Sequence, residues 1–200
     1  MPKEVFLKLP AEKQEKILSI LETEFKTKPF QKVNVKEIVE KSGIARGSFY
    51  QYFENLEDAY FTILEKETVD IHALFMKIFV QKNKQLIPAF EEYGTQVVEI
   101  LFNEQTYMIY KNCYLYWSED LNWSWELSKN QRAEDFHRFA THVSENFEKM
   151  QIIKAVVHSL IERMFREEWT KEAFITNYKQ HLNWIEKGVT YGTRWKYFWY

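Results

Sequence analysis

Apolar residues along the chain recur three or four positions apart, and no stretch shows the strict alternation of a half-buried strand. The first such segment runs from Pro10 to Phe25, with proline in the first turn, where its missing N–H costs no hydrogen bond. Later segments predict further helices at about 85–102, 105–118, 131–148, 149–168 and 171–188. The pattern therefore predicts an all-α protein.

A pair of short helices joined by a tight turn is predicted after the first helix. Asn34 can accept the backbone N–H of Glu37 while Glu37 reaches back, which is the arrangement of a capping box at a helix start. Gly43 is suited to the left-handed conformation that ends this helix after about two turns. Because only three residues precede the next helical segment, the order is that of a helix-turn-helix.

A fourth helix is predicted to begin after the cap Asn55, with Asp58 three residues further on. Its apolar pattern continues past Glu67, which predicts one continuous helix across that point. No linker rich in Gly, Pro or Ser interrupts the chain there. We therefore expect a small N-terminal three-helix domain, residues 1–54, joined rigidly to a larger C-terminal helical domain, residues 55–200.

The second helix of the helix-turn-helix carries side chains suited to DNA. Ile44, Phe49 and Phe53 fall at helical spacing and are expected to pack inward. The other sides carry a guanidinium, an amide and hydroxyl groups, which can reach base edges or phosphate oxygens. These outward residues are Arg46, Ser48, Tyr50, Gln51 and Tyr52. Gly47 leaves room for close approach of the DNA.

Charge is unevenly distributed, although the net charge is only −2. Residues 1–53 carry 10 Lys and Arg against 7 Asp and Glu, whereas residues 54–200 carry 17 against 22. The positive excess therefore lies in the part that contains the helix-turn-helix. Hydrophobic residues make up 46% of the chain, which is enough for a sizeable core.

The single cysteine, Cys113, cannot close a disulfide within the chain or build a cysteine cluster, and it is expected to be a small buried hydrophobe. No run approaches the roughly 18 apolar residues of a membrane span, and the start lacks the apolar stretch of a signal peptide. These observations predict a soluble cytoplasmic protein with no membrane partner.

Residues 33–60, VNVKEIVEKSGIARGSFYQYFENLEDAY, resemble the DNA-binding domain of the TetR family of bacterial transcriptional regulators (TetR/AcrR type). The shared features are the run G-x-x-x-G-x-x-Y-x-[YH]-F, the upstream amphipathic helix and the capped fourth helix. Three positions depart from the family pattern: Pro29 stands where Gly is usual, Ala45 where Ser or Thr is common, and Leu56 where Lys is usual. The last departure removes a phosphate contact, and that at Ala45 removes a helix cap.

This resemblance implies a homodimer that binds a palindromic operator in double-stranded DNA, represses transcription, and is released by a small-molecule effector in the C-terminal domain. It also implies roles for individual residues. The phosphate-contacting positions fall on Asn34, Ser48, Tyr50 and Tyr52. The base-reading positions fall on Ala45, Arg46, Gly47 and Gln51.

An aromatic stretch between residues 107 and 125 is the candidate effector site. Four of its residues share one helical face and could line an apolar pocket with a few hydroxyl groups: Tyr107, Tyr110, Tyr114 and Trp117. The carboxylates of Glu104, Glu119 and Asp120 would favour a cationic aromatic ligand. The alternative is that the aromatic face is part of the core and the carboxylates are solvated helix ends.

Two late helices carry wide apolar stripes that could form half of an intersubunit four-helix bundle. The candidate dimer residues are Val156, Leu160, Met164, Phe174, Tyr178 and Leu182. The alternative, that both stripes close the chain's own core, is equally compatible with the pattern. The aromatic tail at 191–200 is expected to pack on its own domain or on a partner subunit.

No motif of an enzyme, cofactor site or metal site was found. The chain lacks a phosphate-binding glycine loop, G-x-S-x-G and H-E-x-x-H, and His158 with Glu162 four residues later is typical of a surface contact. We therefore expect no catalytic residues, no cofactor and no metal. The main alternative to a DNA-binding regulator is a helical binding or adaptor protein whose helix-turn-helix no longer reads DNA.

Overall fold

The structure is a computed structural model that describes residues 2–130 and 144–188. These residues form helices joined by short connections, and no strand occurs among them. The helices are α1 Glu4–Leu7, α2 Ala11–Thr27, α3 Val35–Ser42, α4 Arg46–Tyr52, α5 Leu56–Glu67, α6 Ile71–Gln81, α7 Leu86–Leu101, α8 Tyr107–Tyr116, α9 Glu119–Asn130, α10 Ser144–Arg166 and α11 Lys171–Lys187. The all-α prediction is confirmed.

Two predictions about helix number and boundaries are wrong. Helices α1 and α9 were not expected from the sequence, and the break expected between residues 148 and 149 is absent because α10 runs through that point. The first part of the helix predicted at 131–148 and the aromatic tail at 191–200 lie outside the described residues.

The predicted continuous helix past Glu67 is also wrong. Helix α5 ends at Glu67, Thr68 is extended, and α6 begins at Ile71. The phenol of Tyr110 explains the break, because its hydroxyl accepts from the N–H of Val69 at 2.9 Å and donates to the carbonyl of Val69 at 3.3 Å. The backbone groups that a continuing helix would use are thus satisfied by a side chain.

The chain divides into two compact units. The first comprises the residues up to Asp70 and the stretch that starts at Glu99, and the second comprises Ile71–Val98 and the residues from Ser144 onward. This division differs from the boundary expected at residue 54, because helices that follow that residue pack on the helix-turn-helix. Whether residues 1–54 act as a functional domain stays a prediction.

The core of the first unit is continuous from the N-terminal helices to α8 and α9. Phe25 packs against Tyr60 with ring centroids 4.8 Å apart, and Ile109 of α8 and Leu121 of α9 are buried in the same cluster. The amide of Asn112 donates to the carbonyls of Phe25 and Lys26 at 3.0 Å each. Helix α8 therefore caps the C-terminal end of α2, where helix carbonyls lack partners.

The second unit is formed by helices with tightly packed aromatic side chains. Phe75 stacks on Phe90 with centroids 4.2 Å apart, and the hydroxyl of Tyr178 donates to the carbonyl of Phe90 at 2.7 Å. A Cβ at Gly94 would lie 2.3 Å from the ring of Tyr178. Glycine at this position allows α7 and α11 to approach closely.

The proposed dimer stripe lies mostly in this core. Five of its six residues are buried within the single chain, where a partner subunit cannot reach them: Leu160, Met164, Phe174, Tyr178 and Leu182. The prediction that these five line a dimer interface is therefore wrong, and the alternative that they close the chain's own core is correct. Val156 is half-buried, and its role in a dimer stays a prediction.

Candidate DNA-binding surface

The turn between α3 and α4 has the predicted geometry. The side chain of Asn34 accepts the N–H of Glu37 at 3.0 Å at the start of α3. Gly43 has φ 70°, in the left-handed region, and its N–H donates to the carbonyl of Val39. A residue with a Cβ would be strained there, so glycine sets the direction in which α4 leaves the turn.

Helix α4 packs one side inward and exposes the others. Phe49 and the following Phe53 are fully buried, as predicted. Exposed residues on the remaining surface are Arg46, Gly47, Tyr50 and Gln51, while Ser48 is half-buried. The cap residue Ala45 is exposed and makes no side-chain hydrogen bond, as expected from its methyl group.

Tyr52 is the exception among the predicted outward residues. It is only 5% exposed, and its ring lies 5.8 Å from that of Phe6 in α1. The prediction that this ring lies on an outer side of α4 is wrong, because α1 covers it. That its hydroxyl contacts a phosphate stays a prediction.

At the start of α4, Arg46 and Gly47 are accessible to an external molecule. Within the described chain, the guanidinium of Arg46 makes no ion pair, so its donors are available to an external acceptor. A Cβ at Gly47 would meet no atom within 4 Å. Packing inside the chain therefore gives no reason for glycine at this position, whereas close approach of an external backbone does.

Asn34 is exposed, but its side chain also serves the fold. Its amide N–H donates to Oε1 of Glu37 at 2.7 Å, so the predicted capping box closes through the Asn34 amide. The pKa of Glu37 is lowered, first by a hydrogen bond from Lys28 and then by that from Asn34. The predicted phosphate contact of Asn34 would use a residue already fixed at the start of α3.

A buried carboxylate connects α2 to the helix-turn-helix. Glu24 accepts hydrogen bonds from Lys28 at 2.9 Å and from Lys41 of α3. Burial is the largest single influence and raises the pKa of Glu24. The hydrogen bonds from Lys41 and Lys28 together outweigh it, so the pKa is lowered overall. The ionised form is therefore favoured, and it holds α3 against α2.

The C-terminal end of α4 receives hydrogen bonds from Lys3, the residue before α1. The backbone N–H of Lys3 donates to the carbonyl of Tyr52 at 2.8 Å, and Nζ of Lys3 donates to the carbonyl of Tyr50 at 3.1 Å. Sequence reasoning missed this contact and that of Asn112. No spacing rule relates groups 47 or 86 residues apart, as Lys3–Tyr50 and Asn112–Lys26 are.

The predicted effector residues divide into two groups. Tyr110 is buried, and its hydroxyl accepts a hydrogen bond from the backbone N–H of Val69. The ring of Trp117 packs against those of Tyr60 and Phe61, with centroids 6.4 and 6.3 Å away. For Tyr110, which is 5% exposed, the core alternative is correct, whereas Trp117 is half-buried against this core and its part in a pocket stays a prediction. Tyr107 and Tyr114 are half-buried, and their part in a pocket stays a prediction.

Cys113 lies beside Tyr60 on the buried side of α8. Burial raises the pKa of the thiol to about 12, so it is protonated at neutral pH and unreactive as a thiolate. The residue as a whole is half-buried, so only its thiol has the buried environment that was expected.

The described residues hold no group of three side chains that could ligate a metal ion. His158 contacts His72, with their Nε2 atoms 3.2 Å apart, and Glu162 pairs with Arg166. Burial lowers the pKa of His158 to about 4, and His72 and Lys154 lower it further. In the ranges 2–130 and 144–188, no helix is long and apolar enough to span a bilayer.

A short exposed helix that follows a glycine turn on a three-helix core is the architecture of a helix-turn-helix regulator. Comparison with known families agrees. The tetracyclin repressor C-terminal domain matches residues 86–188, just over half of the chain, and the bacterial regulatory proteins of the tetR family match residues 17–58. The chain therefore belongs to the TetR family of transcriptional regulators, whose members bind operator DNA as dimers.

Individual relatives are more distant. The chain is 40% identical over 53 residues to the uncharacterised regulator YfiR of Bacillus subtilis (strain 168), a match that spans about a quarter of either protein, 26% of each. A TetR family regulator from Chloroflexus aurantiacus J-10-fl has TM-score 0.51 at 21% identity and covers 94% of this chain and 97% of its own. NalD of Pseudomonas aeruginosa, the secondary repressor of the MexAB-OprM multidrug efflux pump, has TM-score 0.60 at 14% identity, with coverages of 86% and 95%. These two structures support the fold.

Proposed function

We propose that this protein is a ligand-responsive repressor that binds a palindromic operator as a homodimer and leaves it when a small apolar or aromatic molecule binds in the C-terminal part. It acts in the cytoplasm and has no catalytic activity of its own. The observation that supports DNA binding is the outward surface of α4, where Arg46 has no ion pair among the described residues and a Cβ on Gly47 would meet none of their atoms within 4 Å.

The direct test is fluorescence anisotropy of the purified protein on the duplex that flanks its own gene, against a scrambled duplex, across a salt series. We expect preferential binding that weakens steeply with salt, because phosphate contacts release counterions. Arg46→Ala should reduce the preference. Equal binding to both duplexes at every salt concentration would favour the adaptor alternative.

The roles within α4 can be separated by three substitutions. Tyr50→Phe removes a hydroxyl expected to contact a phosphate, so it should weaken binding to every duplex by a similar factor. Arg46→Ala and Gln51→Ala should also relax base preference, since each removes a base-edge contact worth about 1–3 kcal/mol. An equal loss for all three on every duplex would refute this division.

Release of DNA requires that the effector change the distance between the two recognition helices of the dimer. Half-sites lie about 34–36 Å apart, so a small pivot spoils simultaneous docking. The contacts of α8 with Val69 and with the end of α2 offer a route within the first unit by which a shift of α8 would reach the helix-turn-helix. Unchanged recognition-helix spacing with effector bound would exclude this mechanism.

The dimer interface requires residues other than the buried stripe. On α10 and α11, Ile152 is 62% exposed and Trp184 is 49% exposed, and both are large apolar side chains available to a partner. Light scattering should give the mass of a dimer for the wild type. Replacement of both residues by Ser should shift the mass toward that of a monomer, whereas an unchanged dimer would place the interface elsewhere.

A further inference from the structure

The recognition helix α4 has no side-chain cap at its start, and at its end the N–H of Phe53 donates to the carbonyl of Phe49, which leaves the carbonyls of Tyr50 and Tyr52 to more distant donors. It contains seven residues, its N-cap Ala45 lacks a side-chain oxygen, and its C-cap Phe53 is extended. The last carbonyls of a helix need donors from elsewhere. A helix this short is marginal without them, because few internal hydrogen bonds offset the entropy of ordering it.

Lys3 supplies these donors from the N-terminal segment, Lys3–Leu9. Its backbone N–H bonds to the carbonyl of Tyr52, and Nζ bonds to the carbonyl of Tyr50. Nζ also pairs with Glu54 at 2.6 Å, immediately after the helix. A cation at this end also interacts favourably with the partial negative charge of the helix C-terminus.

The N-terminal segment is itself fixed to the domain. Phe6 is 2% exposed, and its ring lies 5.1 Å from Phe53 and 5.8 Å from Tyr52. The amide of Gln14 in α2 donates to the carbonyl of Leu9 at 2.8 Å. Donors at the end of α4 are thus attached through a buried aromatic side chain and through α2.

We propose that the N-terminal segment sets the position of the recognition helix and that Lys3 is a positioning residue for DNA binding. This inference rests on the proposed function. It assigns a role to a segment that precedes the helix-turn-helix and carries none of its sequence signals. The competing explanation is that Lys3 contacts a phosphate directly.

Glu54 distinguishes the two explanations. If Lys3 positions α4, removal of the Glu54 charge releases the Lys3 ammonium and weakens specific binding. If Lys3 contacts a phosphate, the same change frees its ammonium and strengthens binding. The exposed ion pair between Lys8 and Glu4, 3.0 Å apart at the ends of α1, provides matched controls, because neither side chain makes a hydrogen bond or ion pair with α4.

The experiment compares Lys3→Met with Lys8→Met, and Glu54→Gln with Glu4→Gln, by anisotropy on specific and scrambled duplexes across a salt series. Each pair has the same change in net charge, so nonspecific electrostatic effects cancel. We expect Lys3→Met to bind the specific duplex about three- to tenfold more weakly than Lys8→Met, as for the loss of one ordinary hydrogen bond. The salt slope should be the same in both, and Glu54→Gln should bind more weakly than Glu4→Gln. Lys3→Arg should restore affinity, since a guanidinium can donate to both acceptors.

Hydrogen exchange of the free protein gives an independent measurement. Lys3→Met should raise the exchange rate of the Phe49–Phe53 amides relative to Lys8→Met and leave α11 unchanged.

Equal affinity of Lys3→Met and Lys8→Met, or unchanged exchange in α4, would overturn the proposal. A salt slope lower by about one unit, with tighter binding by Glu54→Gln, would establish the phosphate contact instead. Absence of duplex preference in the wild type would contradict the proposed function, while exchange would still decide whether Lys3 holds α4.

Discussion

The two compact units both have aromatic cores, but they differ in the contacts that fix their helices. In the first, polar side chains meet backbone groups at helix ends: Asn34 and Asn55 at helix starts, and Asn112 and Lys3 at helix ends. In the second, aromatic rings and a glycine allow helices to approach closely, as between Gly94 and Tyr178. The comparison shows that, in addition to its aromatic core, the DNA-reading part uses distant polar donors to fix the ends of short helices, whereas in the other unit a glycine allows two helices to approach closely.

The largest expected effect is in the second unit. Phe174→Ala should lower the free energy of unfolding by about 3–5 kcal/mol, because it leaves a cavity in a closed core. Urea denaturation measures this, and Lys179→Ala on the exposed side of α11 is the control. The loss should be independent of protein concentration. A loss of stability that disappears on dilution would indicate that Phe174 lies at a subunit interface.

The next largest change in stability is expected when a helical glycine is replaced by alanine, and two glycines allow a comparison. Gly94→Ala should destabilise by about 1–3 kcal/mol, since the added Cβ overlaps the Tyr178 ring. Gly47→Ala should be neutral or stabilising by up to about 1 kcal/mol, because space there is open and alanine favours helix. Thermal denaturation of both variants measures the difference. Equal changes in stability for the two variants would contradict the close approach of α7 and α11.

A polar contact of the first unit should give a smaller loss. Asn112→Ala leaves the carbonyls of Phe25 and Lys26 without this donor, which should cost about 1–2 kcal/mol. Asn183→Ala, at an exposed position of α11, is the control. If the two variants unfold at the same urea concentration, water replaces the Asn112 amide and the cap contributes nothing.

The smallest effect is a dependence on pH. The pKa of Glu24 is lower in the folded protein than its ordinary value near 4.5, so its ion pairs stabilise the fold fully above that value and less as pH falls below it. The difference in stability between wild type and Glu24→Gln should therefore shrink between about pH 6 and pH 3. Urea midpoints at several pH values test this. A difference that grows toward acid would reverse the sign assigned to Glu24.

The sequence was most informative where one residue type serves one backbone geometry. Asn34, Gly43 and Asn55 marked helix ends correctly, because caps and a left-handed turn depend on neighbours a few positions away. It was least informative where a contact joins distant residues. The phenol of Tyr110 ends α5 from 41 residues away, and an apolar stripe does not reveal whether its partner is the same chain or another.

In the candidate site, too, local spacing predicted some residues correctly, whereas those that depend on distant contacts could not be predicted. Outward positions of α4 followed from helical spacing, and Arg46, Tyr50 and Gln51 are exposed as expected. Tyr52 could not be placed by that reasoning, because the residue that covers it, Phe6, precedes the recognisable motif by more than 25 positions. The aromatic face of α8 matched two structural explanations, and burial separated them only for Tyr110.

The amide of Asn112 determines how this DNA-reading module could be transplanted. A chimeric regulator spliced at residue 54 or 70 would lack α8, and with it the donor that closes the end of α2. The recipient would have to provide an equivalent amide at that place. Grafting α8 together with the first five helices would carry the donor along, and would make operator preference portable between effector-binding scaffolds.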